Sequence, residues 1–330
     1  MTVGDVTERE LIARIQQRLA PAPDWVLVGI GDDAAVVRPE RNRVDVVTVD
    51  AVIDGVHFDR ALVPPEAIGH RALAVNLSDL AAMGAAPRAA LLSMALPARL
   101  PLTDFERIVA GFAALAARHR IHVVGGNLTH TPGPLTIDVT AIGSVKRRQA
   151  LTRRGARPGD EVYVSGRIGA AAAGLARLRA SGSAPGATDG LTTAYLFPEP
   201  RVRLGLLLAR NRAATACMDL SDGLADGARQ LSDASGVGMT IDAAALPVDE
   251  ETRETLAARG GDSIATAISS GDDYELMFTA RPRTPRLKTV VRHARERLTR
   301  IGVCTEARDV VLARTDGALE PMPAGYAHFQ

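Results

Sequence analysis

A chain of 330 residues is longer than one typical domain and accommodates two. Its 46% hydrophobic and 23% charged residues are those of a water-soluble globular protein, and a net charge of +1 provides no field for nucleic acid or an anionic membrane. Two isolated cysteines, Cys217 and Cys304, exclude a disulfide framework and a cysteine zinc cluster. The opening Met1–Glu10 is acidic and polar, unlike a secretory signal, and no apolar run reaches membrane-spanning length, so a cytoplasmic enzyme is expected.

Thr7 and Glu10 form a capping-box pattern, after which Leu11, Ile12, Ile15 and Leu19 recur at helical spacing until Pro21 and Pro23. Val44–Val49 is β-branched with one polar break, which predicts a buried strand delivering Asp50 at its end. Pro64-Pro65-Glu66 opens a second helix, with Ile68, Leu73, Leu77 and Leu80 along one side. Ala89–Leu96 and Ile121–Val124 read as strands, separated by a helix that Thr103 and Glu106 would cap. Leu135–Val145 alternates for part of its length and predicts another strand. Basic Lys146-Arg147-Arg148 and the polar Arg153–Asp160 stretch, with Pro158-Gly159, mark a domain boundary. Beyond it the patterns predict a strand at Val162–Val164 and a helix over Ile168–Arg179. Further helices are expected near residues 201–210, 223–234 and 286–299. Interleaved strands and helices give an α/β (α+β mixed) class.

Aspartates cluster in glycine-punctuated loops: Gly31-Asp32-Asp33, Asn76-Leu77-Ser78-Asp79, Asp219-Leu220-Ser221-Asp222-Gly223 and Gly271-Asp272-Asp273-Tyr274-Glu275. Carboxylates this close repel one another unless protonated, hydrogen-bonded or bridged by cations. Short, hard oxygen donors suit magnesium, which takes one or two carboxylates and completes its shell with substrate phosphates. Asp and Gly also make ordinary turns, and that explanation suffices for any one motif alone. Four of them, each beside an apolar run, point to a phosphate-handling site if the fold gathers them. No P-loop, kinase catalytic loop or dinucleotide fingerprint occurs, and no Ser-His-Asp or Cys-His set supports covalent acyl chemistry. Gly166-Arg167-Ile168-Gly169 either sets a helix N-terminus against phosphate or, the stronger reading, merely joins two elements. Among the seven histidines only His57, in Asp54-Gly55-Val56-His57-Phe58, has a marked setting, and on its own it reads as a hydrogen-bonded loop residue.

Taken together, Gly29–Ala34, Val49–Phe58, Ala74–Gly84, Ala150–Asp160, Asp219–Gly223, Asp272–Leu276 and Gly325–Phe329 resemble the thiamine-monophosphate kinases, in order along nearly the whole chain. The aspartate loops are shared with the wider superfamily of aminoimidazole ribonucleotide synthetase and selenophosphate synthetase. The His57-Phe58 loop and the Gly-Tyr-x-His-Phe tail are more specific. The resemblance implies ATP-dependent phosphorylation of thiamine monophosphate to thiamine diphosphate by direct in-line transfer, with several magnesium ions (Mg2+). It implies a two-domain fold like that of aminoimidazole ribonucleotide synthetase. Residues 1–148 would be an N-terminal sheet domain binding ATP and metal and forming a homodimer. Residues 149–330 would be a C-terminal α/β domain completing the active site.

Carried over by position, Asp33, Thr48, Val49, Asp50, Asp79, Asn127, Asp219 and Asp222 would hold magnesium, with Asp32 beside Asp33. Gly126, Arg153 and Ser221 would contact ATP, Arg153 and Asp222 also positioning the reacting groups. His57, Asp272 and Tyr326 would meet the thiamine phosphate, Tyr326 by stacking. The chain departs from the family pattern at Asn127, where an Asp is usual, at Val49, where a Thr is usual, and at Asp272, where a Glu is usual. Two other readings stay open. One is a superfamily relative that activates another small phosphorylated substrate with ATP. The other, motivated by Asn127, is a nucleotide- or thiamine-phosphate-binding protein without turnover.

Overall fold

The computed structural model describes residues 1–182 and 189–325. Among them the chain divides into two compact units: Met1–Leu80 and Ala86–Arg147 with Ser181 and Gly182, and Ala81–Ala85, Arg148–Ala180 and the described residues from Asp189 on. No helix among the described residues is long and apolar enough to cross a membrane.

In the first unit the Thr7 hydroxyl accepts from the Glu10 amide at 3.3 Å while the Glu10 carboxylate takes the Thr7 amide at 2.7 Å, which starts α1 (Glu8–Arg18). Strands β1 (Val26–Val28) and β2 (Val36–Val37) form a short antiparallel ribbon. Then come β3 (Arg43–Ile53), α2 (Pro65–Ala82), β4 (Ala86–Pro97), α3 (Leu102–His119), β5 (His122–Thr131) and β6 (Thr136–Lys146). The four long strands make one sheet in the order β3-β6-β4-β5, antiparallel except between β4 and β5. Helices α2 and α3 cross at Gly69 and Gly111, where an added Cβ would lie 1.8 Å from the Ile108 carbonyl oxygen and 2.0 Å from that of Glu66. Only glycine allows that approach.

Two expectations are corrected here. Asp50 lies inside β3 rather than at its end, and the strand is not buried throughout: Val47 is 63% and Val49 58% exposed, while Val52 is 2% exposed. Successive side chains alternate faces, and one face of this strand is covered while the other is open. Thr103 and Glu106 do not cap α3, which begins behind Pro101 without a side-chain cap. Glu106 instead pairs with Arg14 and Arg18 of α1, so a tertiary ion pair takes the side chain from its local role.

The second unit runs β7 (Glu161–Ser165), α4 (Ala170–Ser181), α5 (Gly190–Leu196), α6 (Val202–Asn211), β8 (Ala216–Asp219), α7 (Leu224–Ser235) and β9 (Gly238–Asp242). It continues with α8 (Glu250–Ala257), α9 (Ser263–Ser269), β10 (Leu276–Ala280), α10 (Pro285–His293), β11 (Leu298–Thr305), β12 (Val310–Ala313) and β13 (Leu319–Pro321). Its sheet has the order β13-β12-β9-β11-β7-β10-β8, which leaves β8 at an edge. Val162, Val164, Met218, Met239, Ile241, Met277 and Ile301 line one continuous core with the helices. The helix expected over residues 286–299 stops at His293. Leu298 onward pairs with β7 and β9, so sheet pairing overrides the helical pattern.

Candidate active site

On the first unit the predicted residues fall on three elements. Thr48 on β3 donates its hydroxyl to the Asp79 carboxylate on α2, which joins two motifs that lie 31 residues apart. Asp50 occupies the same row of the sheet as Thr48, since Asp50 pairs with Val139 and Thr48 with Ala141. Gly126 pairs with Leu92 on that row, and a Cβ there would lie 1.9 Å from the Leu92 carbonyl oxygen, so the close strand contact itself requires glycine. Asn127 is one residue out of phase: it pairs with Ser93, which pairs with Asp138, which pairs with Ala51. By the pleat, Asn127 and Val49 face the side of the sheet opposite Thr48 and Asp50.

Asn76, one turn before Asp79, is fully buried, and its amide donates to the Ala72 carbonyl at 3.1 Å. Asp33 is exposed in the loop between β1 and β2, where its amide donates to Asp32 at 2.8 Å, so Asp32 serves the turn. His57 follows a turn closed by Gly55, at φ +82°, and its Nδ1 accepts from the Ile53 amide at 3.1 Å. That bond leaves Nε2 as the proton-bearing nitrogen of the neutral ring.

On the second unit, the two remaining aspartate motifs are laced together although some 50 residues separate them. Asp219 ends β8 and is buried, opposite Leu276 at the start of β10. The Leu220 amide donates to the Glu275 carbonyl at 2.9 Å, the Asp272 amide to the Ser221 carbonyl at 2.8 Å, and the Tyr274 amide to the Leu220 carbonyl at 3.0 Å. Gly223, at φ +92°, leads into α7, and Gly271 passes so close that a Cβ would lie 2.2 Å from the Ser221 carbonyl oxygen. Asp272 and Tyr274 also hold positive φ, at 72° and 49°, and the Tyr274 hydroxyl donates to Asp272 at 3.1 Å. Two side-chain-bearing residues with left-handed backbone in three positions is a costly arrangement of the kind found at ligand-binding loops. Arg153 reaches Gln230 on α7, and the Ser235 hydroxyl donates to its carbonyl at 3.0 Å, so its fork is held at the flank of that helix. Tyr326 lies outside the described residues.

Two anchors of this loop carry no signal in the sequence. The Glu275 carboxylate, 4% exposed, takes both arms of Arg201 and the Ser165 hydroxyl. Nothing marks Arg201, 74 residues earlier, as its partner. Asp273 accepts from the Gly169 amide at 2.8 Å and the Ala171 amide at 3.4 Å, so it fastens the loop to the start of α4. Burial pushes its carboxyl up to about 8, against the Gly169 hydrogen bond and with the negative neighbours Glu275 and Asp272.

The model of the AIR synthase related protein N-terminal domain matches residues 31–145, and that of the AIR synthase related protein C-terminal domain matches residues 157–314. The chain is 34% identical over 309 residues to the thiamine-monophosphate kinase of Bacillus subtilis, covering 92% of this chain and 94% of that protein. Its fold matches the crystal structure of thiamine-monophosphate kinase from Stenotrophomonas maltophilia with a TM-score of 0.80 at 39% identity, over 94% of this chain and 96% of that one. It also matches AaThiL complexed with AMPPCP and TMP, with a TM-score of 0.76 at 31% identity, over 100% of this chain and 99% of that one. With both domains matched in order and relatives aligned over nearly its whole length, the chain belongs to the thiamine-monophosphate kinase family.

Proposed function

We propose that the protein phosphorylates thiamine monophosphate with ATP, giving thiamine diphosphate and ADP. The observation that carries this reading is the match over the full chain to a relative complexed with AMPPCP and TMP, in a chain that carries four aspartate motifs of its own. An oxygen of the acceptor phosphate attacks the γ-phosphorus of ATP, the bond from that phosphorus to the β–γ bridging oxygen breaks, and ADP departs with the electron pair. Such transfer asks the protein for positioning and charge neutralisation rather than a covalent intermediate.

The donor set fits magnesium. The side chains are hydroxyl, amide and carboxylate oxygens, and among the described residues no three His, Cys, Asp or Glu side chains form a closed metal site. Hard oxygen donors of this kind suit a cation whose shell is completed by substrate phosphates. On the first unit Asp33, Thr48, the Val49 backbone, Asp50 and Asp79 would hold magnesium, and Asn127, on the other face of that sheet, would hold a separate ion. On the second unit Asp219 and Asp222 would hold magnesium. Bound magnesium supplies the counter-charge that lets two phosphate anions approach. Arg153, Gly126 and Ser221 would receive ATP, and His57, Asp272 and Tyr326 the thiamine phosphate.

A homodimer and a cytoplasmic location belong to the same reading. The dimer draws on Val47, Val49 and Leu91, which are exposed on one face of the first unit's sheet, Val49 and Leu91 both pairing with Thr140. Incubation with ATP, magnesium and thiamine monophosphate, followed by chromatography, tests the function. Equal amounts of ADP and thiamine diphosphate are expected, whereas binding without ADP release would establish the non-catalytic reading.

A further inference from the structure

A cavity of about 840 Å³ opens on the first unit, lined by Trp25, Arg38, Glu40, Arg41, Arg88, Arg120 and His122 among others. It lies at the Ser144 end of the sheet: Ser144 pairs with Asp45 and Ala86, and His122 with Ala89. Thr48 and Asp50 pair with Ala141 and Val139, three and five residues further along β6, a separation of roughly 10–17 Å at the rise of an extended strand. The cavity and the carboxylate row therefore occupy different levels of one sheet.

Its charge balance is unusual for a chain of net charge +1. Four arginines line it against one acid, and that acid is already neutralised. Glu40 pairs with Arg43 at 3.1 Å and accepts from the Ser144 hydroxyl at 2.5 Å. Arg88 stacks over the Trp25 ring at 4.4 Å and donates to the Arg38 carbonyl, so its cation is fixed in place. The rings of Trp25 and His122 stand nearly perpendicular, with centroids 5.8 Å apart, and burial lowers the His122 pKa, which favours the uncharged ring. Arg38, Arg41 and Arg120 are exposed and have no ion-pair partner among the described residues. Three unpaired guanidinium forks around a concave site, with rigid aromatic and proline walls (Trp25, Pro39, Pro87), match the oxygens of a phosphate chain. The volume lies in the range of small-molecule sites and exceeds what a single phosphate fills.

We infer that this cavity binds an oligophosphate group carried by a small molecule, through Arg38, Arg41 and Arg120. The carboxylate row used for the reaction repels such a chain unless magnesium accompanies it, while the arginine cavity needs no metal. The two sites therefore separate in chelator. The chain also carries its own reporter, because Trp25 is its single tryptophan.

The test is a titration of Trp25 emission in excess EDTA with inorganic tripolyphosphate, AMPPCP and a short single-stranded oligonucleotide. Saturable change with tripolyphosphate is expected. A comparable midpoint for AMPPCP assigns the affinity to the phosphate chain alone, and a lower one assigns part of it to the nucleoside. In the Arg38→Gln, Arg41→Gln, Arg120→Gln triple variant the midpoint should rise at least about tenfold, the size of one lost charge-assisted contact. Its kcat for thiamine diphosphate formation and its melting temperature without ligand should stay at wild-type values. No saturable change with tripolyphosphate, an unshifted midpoint in the triple variant, or a response confined to the oligonucleotide would overturn the assignment.

Discussion

Asp50 and Asp219 sit on different units, yet each is a short-chain carboxylate at a position where the backbone is fixed by a sheet ladder. A carboxylate held this way costs no reorganisation when it meets a cation, and its amide isostere keeps the shape while removing the charge. Asp50→Asn and Asp219→Asn should each lower kcat/KM for thiamine monophosphate by about a hundredfold or more at limiting magnesium. Steady-state assays across a magnesium series check this, and near-wild-type activity in either variant removes that residue from the cradle. Asp273 plays a different part. Its folded pKa, pushed up to about 8, lies above the ordinary carboxyl value of 3.8. The neutral form is therefore favoured by folding, and its contribution is complete below pH 4 and fades as pH rises toward 8. Asp273→Asn keeps an acceptor for the Gly169 amide and removes the titration. Denaturant midpoints of this variant should fall less between pH 5 and pH 8 than those of wild type.

The loops 219–223 and 271–275 act as one element because three backbone hydrogen bonds join them, and the Arg201–Glu275 pair braces the second of them. Removing the arginine leaves a carboxylate with 5% side-chain exposure without its counter-ion. Arg201→Ala should destabilise the protein by about 3 kcal/mol, which urea titration checks, and should raise KM for thiamine monophosphate as Asp272 loses its support. Much of this scale was legible beforehand. The capping box at Thr7 and Glu10, the Pro65 helix start and the strand 136–146 follow from local pattern and appear as expected. Local pattern failed where distant partners decide. Glu106 is drawn to α1, Leu298 onward is drawn into a sheet, and β3 leaves Val47 and Val49 exposed because one of its faces is open there. The site was legible as residue types, since each aspartate motif stands out. Its lacing and its buried anchors were not, because Arg201 and Glu275 become neighbours only through the fold.

At the scale of the whole molecule, Val47, Val49 and Leu91 leave an apolar row open on the first unit's sheet, an arrangement that water does not favour in a lone protomer. A charge placed there should block pairing through that face. If the proposed dimer forms through that face, wild type should sediment as a dimer and Val47→Arg as a monomer, whereas a monomeric wild type, or a Val47→Arg variant that sediments like a dimeric wild type, would contradict it. The central claim, direct transfer of the γ-phosphoryl group of ATP to thiamine monophosphate, is tested most directly with γ-labelled [32P]ATP, following the label and ADP together through a single turnover. The expected result is label in thiamine diphosphate equal to the ADP formed, with none retained by the protein. Label held on the protein, or ADP formed without labelled thiamine diphosphate, would contradict it.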